Sequence, residues 1–170
     1  MNRVFVAAVC VVGAARLALA EPFQLAVWDP VQLRPAAADI EGLRLSLFYG
    51  RNHDLLGLDA GLVNRLDGSG TGIQYGAANH VAGSFTGLQE AWLYSATEGS
   101  LTGIQSACLT RCGSLTGIEL GVVNWAGSVQ GLQLGLYNRC SGLHGLQIGL
   151  LNHDASDSRL PILPLLRWGR

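Results

Sequence analysis

The chain has 170 residues, 49% of them apolar and only 14% charged, with 23 glycines. That length suits one domain, and a glycine load costly inside helices argues for strands and tight turns. All eleven basic residues are Arg, and the formal net charge of −1 gives no electrostatic reason to expect nucleic acid as a partner.

Residues 1–20 read as an export signal. Arg3 stands before an apolar run from Val4 to Ala15, and Ala18-Leu19-Ala20 fits a small-x-small cleavage site. The apolar run is too short to span a bilayer as a helix. Cleavage after Ala20 would remove Arg3 and Arg16 and leave nine Arg against twelve acids, a net charge of −3. Residues 21–41 carry Phe23 to Pro30, then Pro35 and a run of Ala, and read as an N-terminal cap.

Residues 42–152 hold eight copies of one phrase, cleanest as GLQLGLYN from Gly131 and GLQIGLLN from Gly145. The copies begin at Gly42, Gly57, Gly72, Gly87, Gly103, Gly117, Gly131 and Gly145, in steps of 15, 15, 15, 16, 14, 14 and 14 residues. With that Gly as position zero, position +1 is Leu or Ile, +2 is polar and +4 is small in every copy. Positions +1, +3 and +5 are mostly apolar. Alternation with period two is a strand signal, with one apolar face and one small and polar face. Position −2 is apolar in all copies but one and has the wrong parity for the +1, +3, +5 face, which predicts a bend or bulge at Gly zero. Asn recurs at +7, as a turn residue or as a stacked ladder of amides.

A fixed short period predicts an all-β repeat protein, a β-solenoid of about eight 14–16-residue coils in which like stacks on like. The alternative is an antiparallel β-meander or a small outer-membrane β-barrel. For the barrel, nine residues from −1 to +7 nearly span a membrane as a strand. Against it, aromatic girdles are missing, and a +3 acid at Glu90 would face lipid. GIELG and its relatives also fit the G-x-x-x-G helix-dimer pattern, but Gln or Glu recurs too often for a transmembrane helix.

Cys108 falls on an apolar repeat position, which predicts a buried thiol. Cys112 and Cys140 share a repeat position two copies apart, roughly 9–10 Å in a stack, beyond disulfide reach. No bond is expected between them. Residues 153–170 form a C-terminal cap. Pro161 and Pro164 are so close that they argue against a regular strand there, and favour an apolar lid over the last coil.

The segments WDPVQL (28–33) and GLRLSLFYGRNHDLLGLDAGLVN (42–64), the phrases GLQLGLYN and GLQIGLLN, and the Pro-x-x-Pro tail together resemble a family of exported bacterial surface-repeat proteins with leptospiral and many Gram-negative members. The resemblance covers nearly the whole chain after residue 20. It implies a cell-envelope location (periplasm, outer membrane or cell surface) and transfers no activity or catalytic residue. Two copies depart from the pattern: those at Gly87 and Gly103 carry Ala as the small residue, and Tyr94 or Thr110 in place of Asn.

No P-loop, nucleophile elbow, zinc-protease motif or Cys-x-x-Cys occurs. Asp67-Gly68-Ser69-Gly70 reads as a plain turn, and the four His read as solvated loop residues. No metal or cofactor is indicated. One anomaly stands out at position +3, where Tyr75, Glu90 and Ser106 replace apolar residues in three consecutive copies. In a stack they are neighbours, a candidate polar binding pocket with Arg111 nearby, or a copy opened to solvent. The sequence therefore predicts a non-enzymatic envelope scaffold or binding surface for an unknown envelope or surface partner, with outer-membrane association as one form of it. Its binding face is expected to be the +2/+4 side. The competing functions are an outer-membrane channel and an enzyme centred on Glu90, which lacks a companion base or metal.

Overall fold

The computed structural model describes residues 21–169; the expected export signal lies outside them. The strands are β1 (Glu21–Trp28), β2 (Val31–Gln32), β3 (Ile40–Asn52), β4 (Leu55–Leu66), β5 (Gly70–Val81), β6 (Phe85–Leu134), β7 (Tyr137–Cys140), β8 (Leu143–Asp154) and β9 (Ile162–Gly169). They form one sheet in the order β2-β1-β3-β4-β5-β6-β7-β8-β9, without a helix among the described residues. From β3 to β8 the pairings are parallel and in repeat register: Gly42 faces Gly57, Gly57 faces Gly72, and Gly72 faces Gly87. A meander or barrel of hairpins would reverse each neighbour. The fold is a β-solenoid of stacked parallel coils, and the antiparallel alternatives fall.

Gly zero has two physical reasons to be glycine. Its φ lies between 131° and 149° in all eight copies, a region that side chains rarely adopt. A Cβ there would also collide with the carbonyl oxygen of Gly zero in the preceding coil, as at Gly72 against Gly57. The bend or bulge expected to bring −2 onto the +1, +3, +5 face is not needed: the register runs unbroken through Gly zero, and −2 keeps the parity of +2. Residues at −2 and +2 both point inward, and +1, +3 and +5 point out.

The interior is therefore part apolar and part polar. Its apolar cluster comes from position −2 (Ile40, Leu55, Phe85, Leu101, Leu115, Val129, Leu143) and from Leu66, Val81, Cys112, Ala126 and Cys140 across the coil. Where −2 is Gly70, the Phe85 ring of the next coil fills the space; a Cβ on Gly70 would lie 2.7 Å from it. Beside this cluster runs a column of +2 residues: Arg44, Asp59, Gln74, Gln89, Gln105, Glu119, Gln133 and Gln147, none more than 1% exposed. Register extends it to Gln24 at one end and Arg167 at the other. The expected solvated, ligand-binding +2/+4 face is thus the inside of the protein.

Buried amides are tolerable only if paired, and stacking at strand spacing pairs them. Gln74 Nε2 donates to Asp59 Oδ2 (2.8 Å), Gln89 to Gln74 (2.8 Å), Gln105 to Gln89 (3.2 Å), Gln133 to Glu119 (2.6 Å) and Gln147 to Gln133 (2.6 Å). A second column runs in the other direction: Asn64 Nδ2 donates to Asn79 Oδ1, Asn124 to Asn138, and Asn138 to Asn152, at 2.7–3.0 Å. The same Asn amides donate to the +3 carbonyls of the next coil, Tyr75, Leu134 and Ile148. Position +4 is small because a Cβ on Gly76 would press on Asn64 Nδ2 at 2.7 Å. Tyr94 is not the substitute for Asn in its copy: the 16-residue step inserts a residue, and Ser95 pairs with Asn79.

Both ends are closed. β1 pairs parallel with β3 and adds a further turn, edged by β2. At the other end β9 pairs antiparallel with β8, so the two prolines do not prevent a strand. Pro161 precedes it, and Pro164 sits at the register shift between Leu163 and Leu165, where no ladder donor is needed. Arg167 caps the interior column, bonding the carbonyls of Leu160 and Pro161 and the Asp157 carboxylate (2.8 Å).

Candidate binding face

Turning the polar residues inward turns the apolar ones outward. Leu62, Trp92, Val122, Leu136 and Leu150 at +5 are exposed, Trp92 to 61%. The register slips just after +4, so +6 also faces out, and Phe48, Leu93, Leu109 and Leu151 join them. Across +1, +3, +5 and +6 in all eight copies, Glu90 is the one charged residue. Eight coils about 4.8 Å apart and six residues about 3.3 Å each make a face of roughly 650 Å². Monomers rarely leave so large an apolar patch bare without a use for it.

Cys108 lies on this face and is exposed, contrary to the buried thiol expected from its apolar repeat position; position +5 is outside. Cys112 and Cys140 are buried and unbonded, as their spacing requires. Burial pushes the Cys140 thiol up to about 11, and burial together with the nearby Glu119 raises that of Cys112.

Tyr75 and Glu90 are register partners on the same face. The Trp92 indole N–H donates to the Tyr75 hydroxyl (2.9 Å), and the two rings meet edge to face at 6.1 Å. Tyr75 and Trp92 wall a depression of about 360 Å³ with Leu47, Leu62 and Ala77. Glu90 and Ser106 do not line it, so the three +3 residues share a face without forming one pocket. Because that face is outside, Glu90 keeps its water and carries no burial cost.

Arg111 is elsewhere. It belongs to a row one outward position beyond the apolar face: Arg51, Arg65, His80, Ala96, Arg111, Trp125, Arg139 and His153. The N-terminal part is neutralised, with Arg51 on Asp67 (2.7 Å) and Asp29 (3.9 Å), Arg65 on Asp67 (2.9 Å) and His80 beside Glu98 (3.2 Å). Arg111 and Arg139 instead stack on Trp125, at 6.0 and 4.7 Å from its ring, and neither makes an ion pair among the described residues. Arg111 and Trp125 border a groove of about 470 Å³ with His80, Tyr94 and Glu98, above Gly113 and Gly127. Position +8 carries Arg65, His80, Arg111, Trp125, Arg139 and His153, so most of this row is visible in the repeat; Arg51 and Ala96 join it from +9 through register shifts.

His53 is solvated as expected but has partners that spacing did not show, Asp39 (3.2 Å) and Asp54 (3.4 Å). The three donors lie within 4.8 Å of one another. The backbone N–H groups of Asp54 and Ser69 already bond Asp39 and Asp54, so the cluster is accounted for as turn chemistry.

No family model matches this chain, and neither a curated protein nor a solved structure matches it.

Proposed function

We propose that this is a non-enzymatic cell-envelope scaffold that binds through its outer apolar face. The observation that carries the reading is the inversion: amide columns fill the interior while Leu, Val and Trp side chains line a broad outer sheet face. A rigid stack with a continuous face suits binding over an extended area. Glu90, on which an enzyme reading would rest, stands exposed on that face with Tyr75 as its register partner. The channel alternative loses its premise with the barrel.

Envelope fractionation of the full-length protein tests this reading. The chain should sediment with the envelope, and Leu62→Ser, Val122→Ser and Leu136→Ser together should release most of it while leaving the thermal midpoint within a few degrees. Retention unchanged by the three substitutions would contradict the reading.

A further inference from the structure

We infer that the occupant of the outer apolar face is an anionic lipid surface, with the apolar side chains at +1, +3, +5 and +6 entering the headgroup–acyl boundary and Arg111 and Arg139 taking headgroup phosphates. This rests on the binding-face reading above and names its partner.

Charge complementarity selects lipid over a second copy of the chain. The apolar face is flanked on one side by the Arg and His row and on the other by position −1, which is Thr71, Thr86, Thr102 and Thr116 in the central coils. Two copies laid face to face would offer Arg111 and Arg139 such neutral or basic flanks along all but the first coil, where position −1 is Glu41. An anionic bilayer offers apolar depth and phosphate at its rim in the arrangement this surface presents. The two guanidinium groups are held ready. Each stacks on Trp125, and the Arg139 Nε is buried without a hydrogen-bond partner. Planar guanidinium suits phosphate oxygens. Trp92 and Trp125, both exposed, carry the apolar ring and polar N–H that favour the membrane interface. The acids that neutralise Arg51 and Arg65 confine the unpaired charge to the C-terminal half, which should meet the headgroups most closely.

The test is flotation of the purified full-length protein with phosphatidylcholine vesicles and with vesicles containing about one-third phosphatidylglycerol. The protein should float with the anionic vesicles, and raised salt should weaken binding. Leu62→Ser, Leu136→Ser and Leu150→Ser together should lower affinity at least about tenfold for both compositions. Arg111→Gln with Arg139→Gln should lower it several-fold for the anionic vesicles and leave the neutral ones unchanged. Because all variants keep residues 1–20, these differences belong to the face. Failure to float, or flotation indifferent to the substitutions, overturns the lipid assignment. A face-dependent dimer in sedimentation without flotation does so too and seats a second copy there. Envelope retention lost with the Ser substitutions would then still support the binding-face reading, so the two claims fail separately.

Discussion

Asp59 and Glu119 occupy the same inward position, sixty residues apart, in one buried column, yet their surroundings differ. Asp59 receives Arg44 through Nε (2.6 Å) and a second guanidinium nitrogen, and Gln74 from the next coil (2.8 Å). Glu119 has no cation beside it. It accepts from Gln133 (2.6 Å) and, weakly, from the Cys112 thiol (3.9 Å). Burial raises the Glu119 pKa above its ordinary value, against the pull of those donors. The coil below holds a further clue: Gln105 Oε1 is buried without a donor. A protonated Glu119 has a hydroxyl to offer downward, as every Gln in the column offers its amide. The repeat thus imposes the position, and the neighbours decide the chemistry: an ion pair at Asp59, and at Glu119 a carboxyl that burial drives toward holding its proton.

The largest effect should come from breaking the pair. Arg44→Met leaves Asp59 as an uncompensated buried charge and should cost about 3–5 kcal/mol in urea unfolding at neutral pH. Glu119→Gln should act in the opposite direction, restoring the amide donor toward Gln105 and gaining about 1–3 kcal/mol at pH 8, the cost of a buried group left unpaired. Its pH dependence has a definite sign. The folded state holds the Glu119 proton to higher pH than the unfolded state does, so stability is lost as pH rises from the ordinary glutamate range through the folded value. The variant lacks that loss, so the two curves should converge in acid and separate with rising pH. Parallel curves would mean that Glu119 is ionised throughout. The smallest change should follow from replacing the pair by the consensus amide, Arg44→Gln with Asp59→Gln, which should stay within about 2 kcal/mol of the parent because a buried ion pair and a satisfied neutral pair are close in free energy.

Much of this architecture is legible in the sequence, and one decisive feature is not. The recurrence of Gly, Leu, Gln and Asn at fixed offsets specifies parallel stacking, since only like-on-like contact rewards it. The missing Cys112–Cys140 bond follows from the same spacing. What parity could not supply was which face is inside. The usual inference sends Leu136 in and Gln133 out, because a lone buried amide is costly. Stacking removes that cost by pairing each amide with the coil beside it, and the small +4 residues make room for the Asn side chains. One signal pointed this way: the apolar −2 position, which shares parity with +2. The site fared less well. Tyr75, Glu90 and Ser106 stand together on the correct face by register, but the depression there belongs to Tyr75 and Trp92, and Arg111 belongs to the stack with Trp125 and Arg139, which only folding assembles.

The three thiols after residue 20 report which face of the coil is inside. Native protein treated briefly with a thiol-alkylating reagent, then denatured, labelled with a second reagent and peptide-mapped, should carry the first label on Cys108 alone, with Cys112 and Cys140 taking the second. First-label modification of Cys112 and Cys140 with Cys108 protected would put position +5 inside and contradict the account.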